Sequence, residues 1–495
     1  MHPPNRFTRR TFLRGAGAAA VAVPTFGSLL AARQASAEAA APPKRPNILF
    51  AIADDWSFPH AGIYGDKVVR TPTFDRIARE GVLFTNAYCA APSCTPSRAT
   101  VLTGQMFYRL GAGANLYGPL APELAVYPDL LEAAGYHVGF TGKGWGPGDY
   151  KKAARTRNPA GPSAPNFQAF LASVPEGKPF CFWFGSHEPH RGYKKGSGVA
   201  SGKRLEDVSV PPSLPDAPEV RGDILDYYVE VEQFDSQVAG LVSALESAGR
   251  LDDTLLVVTS DNGMPFPRAK TNLYDAGTRM PLAVRWPGRA KPGRTVTDFV
   301  GFHDFAPTFL EAAGVAIPPE MTGRSLLPAL ASGADGRTDA ARDRVVTGRE
   351  RHATFQLGGE EGKLGYPMRA LRTDRHLYIR NFAPDRFPAG PPPTDPRWTG
   401  EKTAGGFVDI DGGPTKAWVW QHRAEEKVAP LWDLATAKRP PEELYDLAKD
   451  PHQLTNVADR PEYADALKTM ADALTAYLTE TCDPRVVGGA EVFET

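Results

Sequence analysis

Cys94 opens the run Cys94-Thr95-Pro96-Ser97-Arg98-Ala99-Thr100-Val101-Leu102-Thr103-Gly104. The spacing places several reactive groups at the start of a helix. Pro96 suits the first turn, where its missing N–H leaves no helical bond unmade. The free N–H groups of that turn face an anion, and Arg98 adds a planar cationic fork for the same anion. Cys94 itself reads either as a nucleophile or as a small buried thiol ahead of a capped helix. Five residues alone do not separate these readings.

Other polar groups recur at one kind of place, the end of an apolar run. Asp54-Asp55 follow Asn47–Ala53, Lys143 follows His137–Phe140, His187 follows Phe180–Gly185, and Asp261-Asn262 follow Thr254–Thr259. Three carboxylates and one amide oxygen make a hard-oxygen donor set, suited to Ca²⁺ or Mg²⁺ and not to zinc. Taken separately, Asp54-Asp55 reads equally as a helix cap and Asp261-Asn262-Gly263 as a turn. Together with Cys94 and Arg98 they read as one site.

These groups need a frame. The apolar runs alternate with helical patterns at Thr71–Glu80, Tyr127–Ala134, Asp223–Glu246 and from Asp304 through Ala313. Such alternation predicts an α/β fold with a mostly parallel sheet sandwiched by helices. Ligands of open parallel sheets bind beyond the carboxyl ends of the strands, where the polar groups fall. Around Leu326–Asp343 the composition turns to Ala, Gly and Asp, which predicts a catalytic domain over residues 45–335. A smaller C-terminal α+β domain is expected over 345–485, with strands at Tyr366–Arg372 and His376–Asn381. There the proline-rich stretch Ala383–Trp398 reads as ordered surface, and Trp418 and Trp420 have strand-like alternate spacing. Glu443–Leu447 and a helix near Tyr463–Thr479 close the chain.

The 495 residues support a large core, and the hydrophobic (42%) and charged (23%) fractions are those of a globular protein. With 56 Lys plus Arg against 57 Asp plus Glu, no global field draws nucleic acid, and no nucleic-acid partner is expected. Any anionic substrate is held by local charge. Residues 1–37 read as a twin-arginine signal peptide: Arg9-Arg10-Thr11-Phe12-Leu13, an apolar Gly15–Leu30 stretch, then Ala35-Ser36-Ala37. The twin-arginine export machinery is therefore an expected partner, and the periplasm or the exterior the expected location. Cys89, Cys181 and Cys482 cannot all pair within one chain, so no disulfide scaffold is expected, and Cys181 reads as a core thiol.

Over almost its whole length after the signal, the chain resembles the sulfatases of the alkaline phosphatase superfamily. Asp54-Asp55, Cys94–Gly104, Thr141-Gly142-Lys143, Ser260-Asp261-Asn262-Gly263, and Glu443–Leu447 with Asp450-Pro451 carry the resemblance. It implies an alkaline-phosphatase-like fold and conversion of Cys94 to formylglycine by a formylglycine-generating enzyme, the hydrated aldehyde acting as nucleophile. It further implies that Asp54, Asp55, Asp261 and Asn262, with residue 94, hold one divalent cation, usually calcium. Arg98 and Lys143 would brace the formylglycine, Lys270 would contact the sulfate, and His187 would face the leaving group.

Within the family, four stretches resemble the sulfamidase branch, which removes N-linked sulfate from glucosamine. They are His187-Glu188-Pro189-His190-Arg191, Met264-Pro265-Phe266-Pro267 through Lys270 to Tyr274, Arg324–Leu330, and Tyr366-Pro367-Met368-Arg369. His190, Arg191 and Lys270 are then expected to contact a sulfated carbohydrate. One departure stands out in Gly142-Lys143-Gly144-Trp145: many sulfatases have histidine where Trp145 stands. His137 is the candidate substitute, or a strand histidine satisfied by its surroundings. An O-sulfatase, a phosphonate or phosphodiester hydrolase of the same superfamily, and a non-catalytic glycan binder remain as alternatives.

Overall fold

The computed structural model describes residues 45–353 and 365–494, so the signal-peptide reading lies outside the described residues. Eight strands build the first sheet: β1 (Asn47–Ala53), β2 (Val82–Tyr88), β3 (His137–Gly142), β4 (Phe180–Gly185), β5 (Thr254–Ser260), β6 (Arg279–Arg285), β7 (Arg294–Val296) and β8 (Val300–Gly301). Their order is β3-β4-β1-β5-β6-β2-β7, with β8 also beside β2. Strands β3, β4, β1 and β5 run parallel, whereas β6 is antiparallel to both β5 and β2.

All seven residues of β1 are buried, which is why its sequence shows no polar alternation. Ile48, Phe50 and Ile52 face one core, shared with Val101 and Leu102 of the helix Cys94–Thr103 and with Phe305 and Phe309 of the helix Phe305–Ala312. Leu49, Ala51 and Ala53 face the other core, shared with Phe234 and Val238 of the helix Pro218–Ser247 and Phe74 of the helix Pro72–Glu80. The Phe50 ring lies 4.9 Å from Trp183 and 5.4 Å from Phe305. Cys181 is buried in the first of these cores, and all four cysteines are free.

The second sheet is antiparallel, in the order β12-β11-β10-β9, from β9 (Arg344–Arg349), β10 (Met368–Thr373), β11 (His376–Asn381) and β12 (Glu442–Asp446). Leu474 and Leu478 of the helix Ala464–Glu480 pack with Tyr378 and Leu444 of this sheet. Tyr274 ties the two sheets together by donating to Glu443 at 2.7 Å. Trp418 and Trp420 correct the strand reading, because both lie in the helix Pro414–His422. Pro414 starts that helix, Trp418 stacks on His422 one turn later at 4.0 Å, and Trp420 donates to the Trp398 carbonyl.

Beyond the ends of β3 and β4 the backbones nearly touch. Lys143 N–H donates to Gly185 O at 2.7 Å, and a Cβ on Gly185 would lie 1.7 Å from Lys143 O. Gly185→Ala is expected to destabilise the fold by about 1–3 kcal/mol, measured as a lowered urea midpoint. Gly240→Ala, in open space on the helix Pro218–Ser247, is expected to raise stability by roughly 0.5–1 kcal/mol in the same assay.

Candidate active site

The parallel register of β1, β3, β4 and β5 brings four chain turns to one edge of the sheet. Backbone bonds carry the ladder into those turns: Asp261 N–H donates to Ala53 O at 3.2 Å and Asp54 N–H to Glu188 O at 3.0 Å. Asp55 sits at φ 74°, a left-handed conformation that aspartate tolerates better than most residues. It turns the carboxylate back to the sheet, where Asp55 N–H meets Asp261 Oδ1 at 3.1 Å. Asp54, Asp55, Asp261 and the Cys94 sulfur thus offer ligand atoms all within 4.8 Å of one another. All four residues are buried.

Three buried carboxylates repel one another, and three cations answer them. Arg98 donates from Nε to Asp261 at 2.7 Å, Lys143 donates to Asp54 at 2.5 Å, and Lys270 to Asp55 at 2.8 Å. Burial opposes the charge on Asp54, but Lys143 and Arg98 outweigh it and hold the carboxyl well below the usual range. Asp261 is pushed up, by burial first, with Asp54 adding to the effect against Arg98. Burial lowers the Lys143 and Lys270 ammonium pKa values, yet the facing carboxylates more than restore them, so both stay charged. Cys94 is pushed well up, chiefly by burial and then by Asp54, so the unmodified side chain is a neutral thiol.

The donor set fits a divalent cation. Asn262 Nδ2 donates to Asp55 at 2.7 Å, and its carbonyl oxygen Oδ1 is buried without a hydrogen-bond donor among the described residues. An orphaned buried oxygen beside three carboxylates is what a hard cation satisfies.

Asp54, Cys94, Lys143, His187, His190 and Lys270 all line one cavity of about 800 Å³. His190 Nε2 lies 3.9 Å from Asp55. Two of the expected cationic contacts already engage protein groups. Arg98 is fully buried and does not line the cavity. Its donors go to Asp261, Lys143 O, Gly144 O and Ala53 O, so it clamps the strand ends together. Arg191 lines the cavity, but both terminal nitrogens donate to Asp223 at 2.8 Å and Nε donates to Pro265 O. Its guanidinium is held by the protein.

Trp145 is buried among apolar core residues, and its indole N–H has no partner among the described residues. His137 does not replace the missing imidazole. It starts β3, six residues before Lys143 and thus about 20 Å away along the strand, and bonds Ser173. The structure supplies two residues that sequence reasoning missed. His352 is buried on the cavity wall with Nδ1 2.8 Å from Ser93 Oγ, next to Cys94. Burial foremost, helped by Lys270 and Arg349 against Asp409 and Asp411, lowers its pKa to about 4, so the ring is neutral. Asp411 accepts from Lys270 at 3.2 Å, and burial notwithstanding, Lys270 and His190 hold its carboxyl below the usual range. Neither follows an apolar run, so no strand-end signal marks them.

A family model described as Sulfatase matches residues 46–315. Human N-sulphoglucosamine sulphohydrolase is 29% identical over 504 residues, covering 90% of this chain and 93% of that protein. Among solved structures, a protein in complex with its substrate D-glucosamine-2-N,6-O-disulfate aligns with TM-score 0.62 and 21% identity, covering 89% of this chain and 99% of the other. The phosphonate monoester hydrolase of Agrobacterium radiobacter aligns with TM-score 0.60 and 18% identity, covering 89% and 97%. These neighbours share the fold: a mostly parallel sheet between helices, with a smaller antiparallel sheet. The family match covers the Asp54-Asp55 pair, the Cys94 helix, Lys143 and Asp261-Asn262, and the chain belongs to the sulfatase family.

Proposed function

We propose that the chain is a sulfohydrolase releasing sulfate from a sulfated sugar, with N-linked sulfate on glucosamine as the substrate group. The observation that carries this reading is the buried cluster around Cys94: three carboxylates, the orphaned Asn262 oxygen and two lysines meeting at one cavity. The human N-sulphoglucosamine sulphohydrolase, similar over 90% of the chain, supports the choice of substrate. The chain is exported by the twin-arginine route to the periplasm or the exterior.

Asp54, Asp55, Asp261 and Asn262, with residue 94, would hold one calcium ion, with magnesium as the other hard cation the oxygens fit. That ion, when bound, supplies positive charge beside the nucleophile. Residue 94 is matured to formylglycine, whose hydrate supplies an oxygen nucleophile that a neutral buried thiol does not. Lys143 and Lys270 hold the sulfuryl oxygens, since both keep their charge and both border the cavity. His187, exposed on the cavity wall, hands a proton to the departing nitrogen or oxygen. Arg98 pairs with Asp261, holds the strand ends in place and braces the formylglycine at residue 94. His187 serves an alcohol as well as an amine, which leaves a sulfate ester as the second reading.

Cys94→Ala is expected to cut sulfate release by roughly 1000-fold or more, measured by ion chromatography with glucosamine N-sulfate. Near-normal turnover in that variant would overturn the reading. Mass spectrometry of the peptide carrying residue 94 from the native host is expected to show the mass of formylglycine. Removing divalent cations with a chelator is expected to abolish activity and lower the thermal midpoint, with calcium restoring both. In Asn262→Ala the calcium concentration needed for recovery should rise about tenfold or more. Recovery unchanged by the substitution would count against the assigned cation site.

A further inference from the structure

Beyond the lysines, the cavity wall is acidic. Asp411, Glu188 and Glu230 all line it. The described lysines and arginine lining it are each already opposite a carboxylate: Lys143 at Asp54, Lys270 at Asp55 and Asp411, Arg191 at Asp223. One sulfate can draw on Lys143 and Lys270. A second anionic group on the same sugar unit would meet carboxylates, and no described lysine or arginine lining the cavity is left to receive it.

Of these three wall carboxylates, Asp411 is the one that pairs with a sulfate-binding lysine. Lys270 Nζ stands between Asp55 Oδ2 at 2.8 Å and Asp411 Oδ2 at 3.2 Å. Its neighbours fix it from both sides. Asp409 pairs with Arg349 and accepts from Ala353 N–H at 2.9 Å, and Ile410 is buried with its carbonyl accepting from Lys416 at 2.7 Å. Gly412 N–H donates to Thr403 Oγ1 at 2.8 Å, and a Cβ on Gly413 would sit 2.5 Å from the Arg191 guanidinium. With the chain on both sides fixed and its carboxylate paired with Lys270, Asp411 is kept on the cavity wall toward an incoming anion. It accepts readily from a sugar hydroxyl or amine.

We propose that Asp411 is a specificity-determining residue, which faces the sugar position beside the bound sulfate and restricts the cavity to units carrying a single sulfate. A hydroxyl there donates to Asp411, whereas a second sulfate is repelled by it. The proposal rests on the sulfated-sugar reading and deepens it.

The test measures affinity by calorimetry on the full chain carrying Cys94→Ala, in calcium buffer, so that no turnover intervenes. The probes are glucosamine N-sulfate, glucosamine 6-O-sulfate and glucosamine 2-N,6-O-disulfate. The better monosulfated sugar is expected to bind at least tenfold more tightly than the disulfated one. Adding Asp411→Asn, of the same shape without the charge, should bring the two within about threefold by strengthening the disulfated sugar. Asp411→Glu, which keeps the charge, should preserve the preference. Equal binding of mono- and disulfated sugars with Asp411 in place would overturn the proposal. So would an Asp411→Asn change that weakens both alike, since that is the effect of a merely structural residue. Sulfate release from the 6-O-sulfate but not the N-sulfate by the native protein would overturn the N-linked reading alone, leaving the affinity ratio to judge Asp411. Failure of all three sugars to bind would overturn the sugar reading and this proposal with it.

Discussion

Three carboxylates packed without solvent at one end of a parallel sheet impose the condition that the rest of this molecule meets. Asp54, Asp55 and Asp261 are each at most 1% exposed, so their mutual repulsion is screened by little water. A buried charge without a partner costs several kcal/mol, and each carboxylate here has its own cation. Arg98, buried inside the helix that begins at Cys94, answers Asp261 and also ties β1 to the turn after β3. The guanidinium therefore helps join the helix that starts at Cys94 to the sheet carrying the acids, together with Ser97 Oγ, which donates to Asp261 O. The arrangement still leaves Asn262 Oδ1 without a donor, a deficiency that a hard cation removes.

The two lysines are positioned by quite different means. Lys143 depends on the close approach of β3 and β4, which the glycines at 142 and 185 permit. Lys270 depends on a loop that binds into both halves of the chain: its own N–H reaches Met264 O, and the next residue, Thr271, at φ 71°, donates to Pro92 O. Arg349 of the second sheet donates to the Thr271 carbonyl. Through Asp411 and His352 the later part of the chain also walls the cavity. The second sheet is thus more than a support. The loops attached to it place His352 and Asp411 on the cavity wall.

Much of the frame was legible. β1, β4 and β11 fall where their apolar or alternating runs predict, and the predicted helices end within a few residues of those observed. Doubly covered parallel strands write continuous apolar runs, and a polar group ending such a run is conspicuous. The second half was less legible. Trp418 and Trp420 alternate like strand residues, but Pro414 and one-turn stacking on His422 make that segment a helix. Arg98 and Arg191 have the chemistry of anion contacts, yet Asp261 and Asp223, each distant in sequence, engage them first.

Residue type, spacing and position after apolar runs were enough to determine the parallel strands β1, β3, β4 and β5, their acid-bearing edge and the helix that starts at Cys94. Those features are local, because burial on two faces and the needs of a helix's first turn act within a few residues. Tertiary structure alone decided which cations border the cavity and which carboxylate each one meets. It also decided that Trp145 packs into the core, that His137 lies at the wrong end of β3, and that His352 and Asp411 reach the cavity. The reason is physical: a charge's role depends on its partner across space, and Asp411 stands 141 positions from the lysine it meets.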